Sequence, residues 1–138
     1  MNEQPIIVKF LTKTSRQERP DKWLRQFPGQ NPAWGRCRFV FDADAPEYDW
    51  LAVYDELPRE GEEQSLRGRE ELACPPLHTI LITAEPSSIK IYGRRFVRQF
   101  GCVLTSRGST SRRALPRSST NVNTAIVITS DATTWRRR

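Results

Sequence analysis

Three short runs restrict the kind of fold open to this chain. Residues 6–11, 48–54 and 79–83 are five to seven residues long and dominated by β-branched, aromatic and aliphatic side chains. A strand with one face in water alternates polar and apolar residues, whereas near-continuous apolar runs are buried on both faces, inside a parallel sheet. Residues 37–41 and 102–105 add two shorter extended pieces, the first imperfectly alternating and suited to an edge.

The segments between these runs supply helices. Asp21 opens a short helix over residues 21–27 with Trp23, Leu24 and Phe27 on one face, and Pro28 and Gly29 stop it. Ser88 caps a second helix expected over residues 89–100, where Ile89, Tyr92, Phe96 and Phe100 recur at three- and four-residue spacing and Gly101 ends the run. The order strand, helix, strand, strand, helix, strand predicts an α/β layer with a mainly parallel sheet, a partial Rossmann-like layer without a dinucleotide fingerprint. Residues 60–69 read as a solvated loop or short helix.

The charge is unevenly spread. Of 22 basic and 16 acidic residues, 15 of each lie in residues 1–106, and the remaining 32 residues carry seven Arg against one Asp. Eleven of those 32 are Ser or Thr. The expected division is therefore a Rossmann-like domain over 1–106 and an irregular basic tail over 107–138. One strand-like patch in the tail, residues 125–129, is suited to pairing with the sheet. Nucleic acid or another polyanion is an expected partner only through that tail.

Several function classes find no support. No run approaches the ~20 apolar residues of a membrane helix, and the opening residues carry Glu3 and no secretory pattern. Cys37, Cys74 and Cys102 are odd in number and widely spaced, which predicts reduced thiols and a cytoplasmic location. Neither a phosphate-binding GxxxxGK[ST] loop, an HExxH helix nor a GxSxG elbow occurs. His78 has no ligands at metal spacing and reads as a structural histidine.

Candidate chemistry gathers where strands end. Glu85 follows the third apolar run and precedes Pro86, which biases it toward extended backbone. A carboxylate there can act as a general base if a cleft encloses it, or sit as a loop charge. Ser87 and Ser88 can orient a polar ligand or cap a helix. Asp55 and Glu56 lie where the second run emerges, the edge at which ligands collect in open α/β sheets. Lys90, Arg94, Arg95 and Arg98 gather positive charge around the second helix, either for a phosphate or for solvent. Trp23, Trp34, Trp50 and Tyr92 offer stacking surfaces.

Several blocks together resemble a known family. They are Lys9 to Thr12, Trp23 to Pro28, Trp34 to Asp42, Tyr48 to Pro58, and above all Thr83-Ala84-Glu85-Pro86-Ser87-Ser88-Ile89-Lys90-Ile91-Tyr92-Gly93 with Gln99 to Ser106. Over about residues 6–106 the chain resembles the amino-terminal half of family 10 glycosyltransferases, the fucosyltransferase group. The resemblance implies one of two Rossmann-like halves, this one recognising a carbohydrate acceptor and the other binding a nucleotide sugar, GDP-fucose in characterised members. It implies that Glu85 is the catalytic base of an inverting transfer, with Ser87, Ser88 and Tyr92 nearby; Asp55 and Glu56, placed by their strand-end position, are the further expected acceptor contacts. No cofactor is expected within this chain itself. Family members continue past the position of Ser106 into a donor-binding domain, whereas the composition here changes abruptly. A truncated or frameshifted frame after about residue 106 is the expectation, a divergent tail the alternative, and activity of this half alone is not expected. The competing function is a small α/β binding protein whose basic tail holds a polyanion.

Overall fold

The computed structural model describes residues 4–16, 20–58, 68–85, 89–105, 111–112, 127–129 and 134–135. Its main sheet has seven strands. In chain order these are β1 (Ile6–Thr12), β2 (Ala33–Trp34), β3 (Cys37–Val40), β4 (Trp50–Tyr54), β6 (Thr79–Thr83), β8 (Cys102–Thr105) and β9 (Ser111–Arg112). Four short strands stand apart from it: β5 (Arg69–Glu71) pairs antiparallel with β10 (Val127–Thr129), and β7 (Lys90–Ile91) with β11 (Thr134–Trp135).

The sheet order is β2-β3-β1-β4-β6-β8-β9, and β3, β1, β4, β6 and β8 are all parallel. Numbered by sequence, those five strands lie in the order 2-1-3-4-5. The chain leaves β1 toward β3, then returns across it to β4, so the direction of winding reverses beside β1. Antiparallel β2 and β9 close the two edges. The mixed, mostly parallel α/β sheet expected from the apolar runs is present. The piece over residues 37–41 lies one strand inside the edge, because the chain doubles back at Gly35, whose φ of 56° suits glycine.

One face of the sheet carries the core. Leu11, Leu51, Val53 and Leu81 are fully buried there, with Phe96 and Phe100 packed edge to face at 5.2 Å. Each such side chain contributes about 1.5–3 kcal/mol by leaving water. On the other face Phe10 meets Trp23, Phe41 and Tyr54 at centroid distances of 4.8, 5.6 and 6.2 Å.

Both helices are shorter than their sequence patterns predict. Asp21–Leu24 forms α1, and Phe27 is extended because Pro28 follows and opens a 3-10 turn over Pro28–Gln30. The expected helix over 89–100 is corrected more deeply: Lys90–Ile91 is strand, Gly93 is extended (φ −59°, ψ 138°), and only Arg94–Val97 is helical, forming α2. Ile89 and Ile91 favour extended backbone through their branched side chains, and Gly93 gives a helix little support. Phe96 and Phe100 still reach the core, while Ile89 and Ile91 are 46% and 38% exposed.

Gly101 serves an end other than stopping a helix. A Cβ there would lie 2.6 Å from the Leu77 carbonyl oxygen, and its N–H donates to Thr79 Oγ1 at 3.0 Å. Gly101→Ala is therefore expected to lower stability by about 1–3 kcal/mol through overpacking against backbone. An unchanged urea midpoint would count against that close approach.

In the tail, the expected irregularity is relieved by three short paired strands, β9, β10 and β11. Of the patch over 125–129, Val127–Thr129 pairs with β5 and not with the main sheet, while 125 and 126 lie outside the described residues. The loop or helix expected over 60–69 is likewise outside them except for 68 and 69, and Arg69 begins β5. No helix among the described residues is long and apolar enough to cross a membrane.

Candidate functional site at the carboxyl edge

The carboxyl ends of β4 and β6 stand side by side, since Tyr54 is in register with Ile82. Asp55 and Glu56 emerge from the first and Glu85 from the second. Asp55 donates its N–H to the Ile82 carbonyl at 2.8 Å and adopts a left-handed φ of 70°, so the chain turns sharply there. Aspartate tolerates this region better than most residues, yet it still needs support.

Lys90 gives that support. Its ammonium, on a residue with no exposed surface, donates to Asp55 Oδ2 at 2.7 Å and to Glu56 Oε1 at 2.6 Å. The Tyr92 hydroxyl donates to Asp55 Oδ1, and Lys90 Nζ lies 5.0 Å from the centre of the Tyr92 ring. The carboxylates of Asp55 and Glu56 thus meet an internal cation. Their role in this geometry is to hold β4, β7 and Tyr92 together, and Glu56 is only 6% exposed.

Burial raises the Tyr92 phenol well above its ordinary value, and the bond to Asp55 raises it further, so it stays a proton donor. Tyr92, next to β7, therefore ties that strand to the Asp55 turn. Among the described residues the Glu85 carboxylate has no hydrogen-bond or ion-pair partner, and the residue is half-buried. Ser87 and Ser88 lie outside the described residues.

The expected basic cluster around one helix divides in two. Lys90 is buried in β7, whereas Arg94, Arg95 and Arg98 are exposed on and beside α2. His78 is structural: its ring stacks on Trp50 at 4.3 Å and 9°, and Nδ1 lies 3.0 Å from the Asp49 carbonyl oxygen. Trp34 is 70% exposed, and no group of three or more His, Cys, Asp and Glu among the described residues is arranged to hold a metal.

A second buried ion pair lies under β1 and escapes sequence reasoning. Lys9 Nζ donates to Glu70 Oε1 at 2.7 Å and to the Ala45 carbonyl at 3.1 Å, and Tyr48 donates to the Glu71 carbonyl at 3.1 Å. The available signal was a lysine inside an apolar run, because a charge buried in a sheet requires a partner. The same signal marks Lys90 between Ile89 and Ile91.

Burial also pushes the Tyr48 phenol up to about 12, with a smaller contribution from Glu70. Both shifted phenols are raised on folding, so their share of stability is complete below the ordinary value of 10.0 and is lost as pH rises through the folded value. The urea midpoint should fall between about pH 10 and 12, and Tyr48→Phe should flatten that fall. An equal fall in wild type and variant would show that Tyr48 ionises alike in both states.

Comparison with family models, with curated proteins and with solved structures yields no match for this chain, so the site stands on its geometry and chemistry.

Proposed function

We propose that this chain is the acceptor-side half of an inverting, nucleotide-sugar-dependent glycosyltransferase of the fucosyltransferase type, with Glu85 as its base. The observation that carries the reading is the half-buried carboxylate of Glu85 at the carboxyl tip of β6, which has no partner among the described residues, near two carboxylates that already share an internal lysine. The resemblance of the blocks over 6–106 supplies the reaction. The reading takes the sheet as Rossmann-like, which agrees with its parallel strands and carboxyl-edge site.

In this mechanism the acceptor hydroxyl oxygen attacks the anomeric carbon of the donor from the face opposite the nucleotide. The new C–O bond forms as the bond to the diphosphate oxygen breaks, the nucleoside diphosphate leaves, and the hydroxyl proton passes to Glu85. Tyr92 acts as a positioning residue through its bond to Asp55 at the adjacent strand end. Ser87 and Ser88 complete the acceptor contacts in this reading. A donor such as GDP-fucose is held by a donor-binding half, which also meets the charge of its diphosphate. Positioning both reactants provides much of the rate, so this half alone is inactive and works with its donor-binding partner in the cytoplasm. The test is sugar transfer with that half supplied, wild type against Glu85→Gln.

A further inference from the structure

The charges of this chain divide at Glu85. Residues 1–85 carry 11 Lys and Arg against 15 Asp and Glu, and residues 86–138 carry 11 against one, so a net of −4 is followed by a net of +10. No carboxylate occurs between Glu85 and Asp131. The excess of positive charge therefore begins inside the domain, ahead of the tail.

The fold turns this step in sequence into a step in space. The first 85 residues supply the main sheet from β2 through β6, and residues 86–112 supply α2, β8 and β9 at the other end of the strand order. The backbone of Arg112 in β9 pairs with Cys102, four residues after Arg98. The start of the basic tail and the arginines of α2 thus belong to the same end of the sheet.

At that end α2 sorts its side chains. Phe96 and Phe100 turn into the core at 1% and 2% exposure. With about 100° of rotation per residue, Arg94 and Arg98 each lie about 160° round the helix from Phe96, so both face away from the core, one turn apart. Arg94, Arg95 and Arg98 are exposed, and none of their guanidinium groups has a hydrogen-bond or ion-pair partner among the described residues. Arg16, by contrast, is held by Asp44 at 2.7 Å, and Lys9 and Lys90 are internal and paired.

Three free guanidinium groups present planar donor forks that match phosphate oxygens. On an open surface water competes for each contact, so a single phosphate gains little. A polymer of phosphates engages the three together and releases condensed counterions as it does so. A lipid surface fits less well: helices that lie on membranes set an apolar face beside the basic one, and here Phe96 and Phe100 are already in the core. Neither α2 nor β8 exposes an aromatic side chain on which a base could stack, so the contact is with backbone and carries no sequence readout.

We propose that the end of the sheet formed by α2, β8 and β9 is a nucleic-acid interface that holds the phosphodiester backbone, with Arg94, Arg95 and Arg98 as its contacts on the body of the domain. The proposal stands apart from glycosyl transfer and requires neither Glu85 nor a donor-binding half.

The experiment follows fluorescence anisotropy of a labelled thymidine single strand, and of a DNA duplex of the same length, with the full chain between about 50 and 200 mM salt. Sedimentation with phosphatidylserine–phosphatidylcholine vesicles runs beside it. At least one of the two DNAs should bind, with a Kd on the order of 10⁻⁶–10⁻⁴ M near physiological salt, and the tighter one identifies the source of the phosphodiester. Combining Arg94→Gln, Arg95→Gln and Arg98→Gln should lessen the slope of log affinity against log salt by about 2 on the single strand or about 3 on the duplex, and weaken binding at least about tenfold at low salt. The urea midpoint of that variant should stay at the wild-type value, because all three side chains are in solvent. Arg25→Gln with Arg38→Gln, which removes two exposed arginines of the first 85 residues, should leave the slope within about 0.5 of wild type. An unchanged slope in the triple variant would assign all contact to the tail and overturn the proposal. An equal fall in the Arg25 and Arg38 control, a Kd above about 1 mM for both DNAs at low salt, or capture by the vesicles without binding of either DNA would likewise overturn it.

Discussion

Lys90→Met should lower the free energy of unfolding by about 3–5 kcal/mol, the loss expected when one member of a buried ion pair is removed. Lys90 has no exposed surface and bonds two carboxylates, so the variant leaves Asp55 and Glu56 facing each other in a site with little water. The intact cluster need not be strongly stabilising, because the cost of desolvating three charges offsets most of their attraction. The asymmetry between making and breaking the cluster therefore separates this account from a simple count of salt bridges. Adding Asp55→Asn and Glu56→Gln to Lys90→Met should recover most of the lost stability, since neutral groups carry no such penalty. A loss below about 1 kcal/mol in the single variant, typical of exposed pairs, would show that water reaches the cluster.

The same cluster explains which parts of the fold could be read from sequence. Strands β6 and β8 fall on Thr79–Thr83 and Cys102–Thr105 as expected, because an apolar run bounded by turn residues has few other ways to bury itself. Residues 89–100 mislead for a long-range reason. Ile89, Tyr92, Phe96 and Phe100 have helical spacing, but Lys90 is claimed by Asp55 and Glu56, which lie 35 and 34 residues earlier in the chain. Strand β5 was equally hidden: Arg69, Glu70 and Glu71 carry no strand pattern, and Glu70 is drawn inward by Lys9.

The candidate site was legible in part. Asp55, Glu56 and Glu85 follow the ends of neighbouring strands, as a strand-end reading predicts, whereas Tyr92, expected on a helix, meets that edge through its bond to Asp55. Their different duties were not legible, because only the position of Lys90 distinguishes two carboxylates turned inward from one without a partner among the described residues.

Glu85→Gln carries the other large expected effect. Glutamine keeps the shape of the side chain but cannot take up a proton. Fold and stability should therefore stay within about 0.5 kcal/mol of wild type, while loss of general-base catalysis lowers turnover by about 10²–10⁴-fold. Tyr92→Phe should act more weakly on turnover, since it loosens the Asp55 turn and leaves the base in place.

The most direct test supplies a donor-binding half of the fucosyltransferase type together with GDP-fucose and a panel of carbohydrate acceptors, and measures inverted product formed by wild type and by Glu85→Gln. The account predicts transfer that requires both halves and falls at least about 10²-fold in the variant at unchanged stability. Equal transfer by wild type and Glu85→Gln would contradict it.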